Sequence, residues 1–151
     1  MKHSLRSCRA TSLSAAVLAA VLLFATVAPA LAAKPVKCAT YNGTVKQGSI
    51  PLLFKVSKSG KKVTKIKMST LPLFCQGGGG PSVIKFNTAR IKRKGTFSTT
   101  GTESTGGTVF AQARISGKFT AHGGAKGSLK VTYLKASSCS GKTTYTAAAA
   151  G

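Results

Sequence analysis

The sequence predicts an all-β fold, an antiparallel β-sandwich or barrel of about 7–9 short strands that follows an N-terminal signal peptide. Three observations carry that prediction. Apolar and polar residues alternate with period two along most of the chain after residue 33, as strands buried on one face do. Clusters of Gly with Ser, Thr, His or Lys fall between the alternating runs, where a chain reverses direction. No segment reads as a helix: Thr and Val are abundant, and Glu103 is the single acidic residue available to favour a helix N-terminus.

The chain opens with a targeting segment. Lys2, Arg6 and Arg9 precede an apolar stretch over 13–27, Pro29 breaks it, and Ala30-Leu31-Ala32 supplies the small-x-small pattern of a cleavage site. The stretch is short for a membrane span, which takes about 20 residues. Cys38 lies too far from residues 31–33 to be a lipidated cysteine. Residues 1–33 are therefore expected to be removed, leaving 34–151 as one sandwich-like domain, secreted or held at the cell envelope, with no transmembrane helix.

The elements follow in order. Leu52, Phe54 and Val56 alternate with Leu53, Lys55 and Ser57; Ile66 and Met68 alternate with Lys65 and Lys67; Ser59-Gly60-Lys61 reads as the hairpin turn between them. Residues 77–80, all Gly, read as a flexible loop, and Lys94-Gly95 and Thr105-Gly106-Gly107 as turns. Over 109–121, Val109, Ala111, Ala113, Ile115, Gly117, Phe119 and Ala121 oppose Phe110, Gln112, Arg114, Ser116, Lys118 and Thr120, a half-buried strand pair. After His122-Gly123-Gly124, a turn, Gly127, Leu129, Val131 and Tyr133 alternate with Lys126, Ser128, Lys130 and Thr132. Ser140-Gly141 marks the last turn, Tyr145 and Ala147 alternate with Thr144 and Thr146, and 147–151 reads as a strand end running into a frayed tail. The likeness of Gly95-Thr96-Phe97-Ser98 to Gly117-Lys118-Phe119-Thr120 is a recurring strand entry, too slight for a repeat architecture.

Beyond the signal peptide the cysteines are Cys38, Cys75 and Cys139. Export favours oxidation, and three thiols allow one bridge by any of three pairings. Cys75 and Cys139 both sit in loops of small residues, which favours their pairing and leaves Cys38 over. A zinc site of the three cysteines with His122 is the competing use, and no Cys-x-x-Cys spacing supports it.

Charge is the strongest functional signal. The chain carries 23 Lys and Arg against one acid, a formal net charge of +22. Removing Lys2, Arg6 and Arg9 leaves 20 against Glu103, a net charge near +19. One carboxylate cannot supply the acid and base of a two-carboxylate glycoside hydrolase. A Ser-His-Asp type triad would need Glu103 and His122, two residues in Gly- and Thr-rich turns, to converge. Calcium would need more oxygen ligands, no Ser-x-x-Lys stands at a helix start, and no Walker or Rossmann glycine pattern occurs. No catalytic residue, metal or cofactor is therefore assigned.

The alternation points Lys55, Lys65, Lys67, Arg90, Lys92, Arg114, Lys118, Lys126 and Lys130 away from the core. With strands about 4.8 Å apart and same-face neighbours about 6.8 Å apart, such cations form a grid that attracts extended polyanions. The candidate contacts are Lys65, Lys67, Arg90, Lys92, Arg93, Lys94, Arg114, Lys118 and Lys130, with 90–94 the densest run. The expected partners are anionic polymers: envelope polymers, acidic polysaccharide or nucleic acid bound without sequence preference. Sequence-specific DNA reading is not expected, because 17 of the 20 remaining cations are Lys and there is no Trp. The competing readings are a structural or protein-interaction domain with no polyanion ligand and, more remotely, a hydrolase. Asn42-Gly43-Thr44 matches a glycosylation sequon, which has meaning only in a eukaryotic secretory host.

Several short stretches, taken together, resemble a loose group of small secreted actinobacterial proteins of unknown function. They are Tyr41-x-Gly43, Ile50-Pro51-Leu52-Leu53-Phe54-Lys55-Val56, Val63-Thr64-Lys65-Ile66-Lys67 with Cys75 after it, and Gly95-Thr96-Phe97-Ser98. Ile115-Ser116-Gly117-Lys118-Phe119, Ala125-Lys126-Gly127-Ser128-Leu129, and Cys139 ahead of Thr144-Tyr145-Thr146-Ala147 complete the set. The resemblance spans nearly all of 34–151 and implies export, a β-rich fold and a Cys75–Cys139 bridge, but no activity. Cys38 departs from its two-cysteine pattern.

A chain with one acidic side chain has almost no native carboxylate to protonate, the usual cause of acid unfolding. Denaturant midpoints are expected to stay nearly level from neutral pH down to about pH 2 and to rise with added salt, which screens self-repulsion; a steep loss below about pH 5 would contradict this.

Overall fold

A computed structural model describes residues 33–150 apart from 76–78, 82–83 and 106. The predicted signal peptide otherwise lies outside the described residues. Eleven strands form, with no α-helix among the described residues. They are β1 (Thr40–Val45), β2 (Ile50–Val56), β3 (Lys62–Met68), β4 (Thr70–Pro72), β5 (Gly79–Pro81), β6 (Lys85–Phe86), β7 (Ala89–Arg90), β8 (Thr96–Thr105), β9 (Thr108–Phe119), β10 (Gly124–Tyr133) and β11 (Gly141–Ala149). Nine of them make one antiparallel sheet in the order β6-β8-β9-β10-β11-β1-β2-β3-β7, and β4 pairs with β5 alone.

That strand order dictates the shape. β6 and β7 stand at opposite ends of it, yet only Asn87 and Thr88 separate them in sequence. The sheet must curl until both edges reach the same short segment. It is a half-barrel, and one curled sheet, not two stacked ones, encloses the core. Of the two expected architectures the barrel-like one forms, and the sandwich-like domain does not. The segment 85–92 is the seam. On one side Lys85 and Phe86 pair with Thr102 and Gly101 of β8; on the other Ala89 and Arg90 pair with Val63 and Lys62 of β3.

Tyr41, Phe54, Phe97 and Phe119 fill the concave side. Tyr41 stacks on Phe54 at 4.9 Å between centroids, and Phe119 meets Tyr41 edge-on at 5.3 Å. Each such ring buries on the order of 150–250 Å², and all four are at most 2 % exposed. Large rings fit inside because glycines face them. Phe97, Gly117, Gly127 and Tyr145 form one inward row across β8 to β11. A Cβ on Gly117 would lie 2.7 Å from the Phe97 ring and would collide with the Tyr145 hydroxyl; one on Gly127 would lie 2.7 Å from that hydroxyl.

Several sequence expectations need correction. Residues 109–121 are not a strand pair: β9 is a single strand of 12 residues, uninterrupted because Gly117 serves packing rather than turning. Two of the four glycines expected in a loop are strand residues, Gly79 and Gly80 pairing with Pro72 and Leu71; Gly77 and Gly78 lie outside the described residues. The tail is not frayed through Ala150: β11 lies between β10 and β1, Ala149 N–H donates to the Gly123 carbonyl, and Ala150 N–H donates to Thr40. β3 carries an extra residue, as Leu53 pairs with Lys67 but Lys55 with Thr64. Lys65 takes φ 53 at this bulge, which lets Val63, Ile66 and Met68 all face inward.

Cys75 and Cys139 are bonded, 64 residues apart in sequence. Loop closure of that length contributes about 4 kcal/mol in the chain-entropy model. The bridge ties the segment after β4 to the β10–β11 connection. Around it Phe74 N–H donates to the Cys139 carbonyl (3.2 Å), and the Tyr133 hydroxyl donates to the Pro72 carbonyl (3.4 Å).

The Tyr145 hydroxyl is buried with no hydrogen-bond partner, and burial pushes its phenol well above the ordinary value. Above about pH 10 an unfolded chain releases that proton while the folded one keeps it, so stability falls as pH rises. Tyr145→Phe is expected to gain roughly 1 kcal/mol near neutrality by removing an unsatisfied hydroxyl and to lose less than the parent between about pH 10 and 11. Paired denaturant titrations across that range check both signs.

Candidate functional site

The inward rows fix what faces outward. On β9, Ala113 and Ile115 are buried, so Arg114 between them and Ser116 after them face out; on β10, Leu129 and Val131 are buried, so Lys130 between them and Ser128 before them face out. Strand register assembles these into rows. Thr100, Arg114, Lys130 and Lys142 stand abreast on β8 to β11, and so do Thr96, Lys118, Lys126 and Thr146. Between the two rows runs one of hydroxyls: Ser98, Ser116, Ser128 and Thr144. Arg114 Nε donates to Ser98 Oγ (3.2 Å), and the hydroxyls of Ser116 and Ser128 bond each other (3.1 Å).

Cations therefore sit directly opposite cations: Lys118 faces Lys126, and Arg114 faces Lys130, which faces Lys142. Strands are about 4.8 Å apart, and like charges directly opposite are destabilising by a fraction of a kcal/mol per pair. Such pairs are ordinarily relieved by interleaved carboxylates, and this face has none. Glu103 is on β8 opposite Ala111, in the inward register that continues to Tyr133 on β10. That register places the single acid on the concave side, where burial and then the Glu103 charge raise the Tyr133 phenol.

The seam brings more cations to the same face. A groove of about 520 Å³ between the seam and β9 is lined by Arg90, Lys92 and Arg114 with Ser98, Thr99 and Thr100. It shares Thr100 and Arg114 with a groove of about 360 Å³ that reaches Lys130. It shares Lys92 and Ser98 with one of about 400 Å³ beside Lys118 and Lys126. A fourth, about 330 Å³, adds Lys34, Lys61 and Arg93. Lys34 is carried there by the segment before β1, where Val36 N–H donates to the buried Tyr41 hydroxyl (3.0 Å).

Of the predicted contacts, Arg90, Lys92, Arg93, Arg114, Lys118 and Lys130 line this connected tract. Lys65 and Lys67 on β3 and Lys94 in the turn before β8 are exposed but line none of its grooves. Lys126 belongs to the tract though it was expected only to face outward; Lys34, Lys61 and Lys142 carried no signal in the sequence. Lys34 precedes every strand, Lys61 is a turn residue, and Lys142 joins its row only through the β10–β11 register.

Glu103 and His122 do not converge. Glu103 lies opposite Ala111, in the first third of β9, and His122 lies in the turn beyond Phe119, with roughly 27 Å of strand between Ala111 and Phe119. His122 is exposed at φ 58, beside Gly123 at φ 70, at the tip of the β9–β10 hairpin. The zinc arrangement fails as well: two of its cysteines are bonded to each other, and among the described residues no three His, Cys, Asp or Glu gather to hold a metal. Cys38 lies exposed in a turn at φ 62.

Lys130 has a like charge on each side, so Lys130→Gln is expected to stabilise the fold by roughly 0.5 kcal/mol at low salt. The gain is expected to vanish near 1 M salt, where the screening length is about 3 Å. Denaturant midpoints at the two salt concentrations test this; a loss of stability at low salt would show that the row is not under repulsion. No family model, curated protein or solved structure matches this chain.

Proposed function

We propose that this protein is a non-catalytic, secreted or envelope-associated β-domain that holds linear anionic polymers on its outer face by charge. One observation carries the reading: cations stand directly opposite cations in two rows, with hydroxyl donors between and the single carboxylate on the opposite face. Isolated, that arrangement is unfavourable. An anionic chain laid across the strands turns each repulsive pair into two attractive contacts and receives hydrogen bonds from the intervening Ser residues. Lysines dominate the face and hold charge without demanding geometry, so the polymer's charge density matters and its sequence does not. The intramolecular disulfide, and the finding that no helix of the described residues is long and apolar enough to cross a membrane, are compatible with life outside the cell.

A protein-contact role has one observation in its favour. Phe110 and Leu134 are exposed side by side, Leu134 N–H donating to the Phe110 carbonyl. Lys135 Nζ lies 5.9 Å above the Phe110 ring, and the pair makes a small patch beside a much larger charged one.

Retention on polyanions across a salt gradient tests the proposal. Removing three charges from the tract (Arg114→Gln, Lys118→Gln, Lys130→Gln) is expected to flatten the log–log salt dependence by roughly two, at about 0.7 to 0.9 per lost phosphate contact on a nucleic-acid probe. Removing three from elsewhere (Lys65→Gln, Lys67→Gln, Lys94→Gln) changes net charge equally and is expected to flatten it far less. Equal effects would mean bulk charge and not the tract; salt-independent retention, or none at physiological salt, would defeat the proposal.

A further inference from the structure

The seam groove gathers cations from both sides of the sheet's shortest ladders, two of them from the seam itself. Arg90 and Lys92 belong to the seam and Arg114 to β9, and they converge on one groove with Ser98 and Thr100 of β8. The seam is tied to each neighbouring edge by a ladder of two residue pairs. Four further bonds flank these ladders: Asn87 N–H donates to Thr100, Ile91 N–H to Lys61 and Lys92 N–H to Thr96, and the Thr99 hydroxyl donates to the Asn87 carbonyl. Repulsion between Arg90, Lys92 and Arg114 acts across this junction. Arg114 is also the oriented member of the set, since its Nε is committed to Ser98 Oγ and its two terminal nitrogens are left for a ligand.

We propose that this groove is a discrete site for a tetrahedral oxyanion, a phosphate or sulfate ester group, and that its occupancy ties the seam shut. The site rests on the polymer-binding reading and specifies the group that the tract grips. A tetrahedral anion offers three or four oxygens, enough to accept from the Arg114 fork, from a seam cation and from a β8 hydroxyl at once. A planar carboxylate offers two. An anion that bridges Arg90 or Lys92 to Arg114 binds only while the seam is docked, and so stabilises the docked state by mass action.

The test is amide hydrogen exchange on the isolated protein in inorganic phosphate, sulfate, acetate and chloride at equal ionic strength. Phosphate and sulfate are expected to slow exchange at Asn87, Ile91 and Lys92 at least threefold relative to chloride, with acetate like chloride and Leu129 in β10 little changed. Phosphate acting alone would identify a phosphate ester as the source of the group, and sulfate acting alone a sulfate ester. The effect is expected to disappear in Arg90→Gln/Arg114→Gln and to persist in Lys65→Gln/Lys67→Gln. Equal exchange in all four anions, slowing by acetate as large as by phosphate, or slowing that survives the Arg90/Arg114 exchange would overturn the site. Polymer retention on the same sample separates the two ideas: retention without seam protection leaves the face reading standing and removes the oxyanion site, whereas loss of both removes the face reading itself.

Discussion

Rings lying on bare backbone are the contact from which the rest of this molecule follows. Phe97 and Tyr145 cover Gly117 and Gly127 on the concave side, where side chains at the glycine positions would collide with them. A sheet this curled has little interior room, and two adjacent glycines supply it without breaking either strand. The curl carries β6 and β7 around to a common segment, and it turns every alternate residue of β8 to β11 onto one convex surface. Ala147 continues the same economy one row away, packed against Gly43.

The charged surface depends on that geometry more than on its lysine count. Lysines at period two on a single strand are well spaced and solvated. Registering β9 against β10 and β11 makes them face one another, which converts a basic composition into two cationic lines flanking a line of hydroxyls. Burial on the other side supplies the energy that holds this in place. Among the described residues twenty-two apolar ones are buried and no charged one is, so the core holds no ion to be disturbed when ions gather on the surface.

Much of the architecture was legible in the sequence because it was written in alternation. Residues 109–119 and 126–133 declare their inward faces through Ala, Ile, Leu and Val, and both became strands with Ala111, Ala113, Ile115, Leu129 and Val131 buried. Cys75 and Cys139 were legible through their small-residue loops. β8 was legible only at its entry, because after Phe97 its inward positions are Thr99, Gly101 and Glu103, none of them apolar; Phe86 covers Gly101 instead. The seam was not legible at all. Strands of two residues have no period, and their pairing is fixed by the curl of the whole sheet. For the same reason the sequence named most of the tract's cations, and placed Lys65, Lys67 and Lys94 with them, without being able to say which would meet.

The position of β11 has a consequence for how the molecule is made. β1 is the first strand in chain order, yet one of its two hydrogen-bonded neighbours is β11, with Tyr41 opposite Ala149. Until that late segment arrives, β1 and β10 each present an open edge, and the hairpins on either side cannot be joined. Closing the sheet therefore joins residues from opposite ends of the domain, a pairing of high contact order and correspondingly slow rate. While those edges are open, the high positive charge of each molecule opposes their pairing with one another.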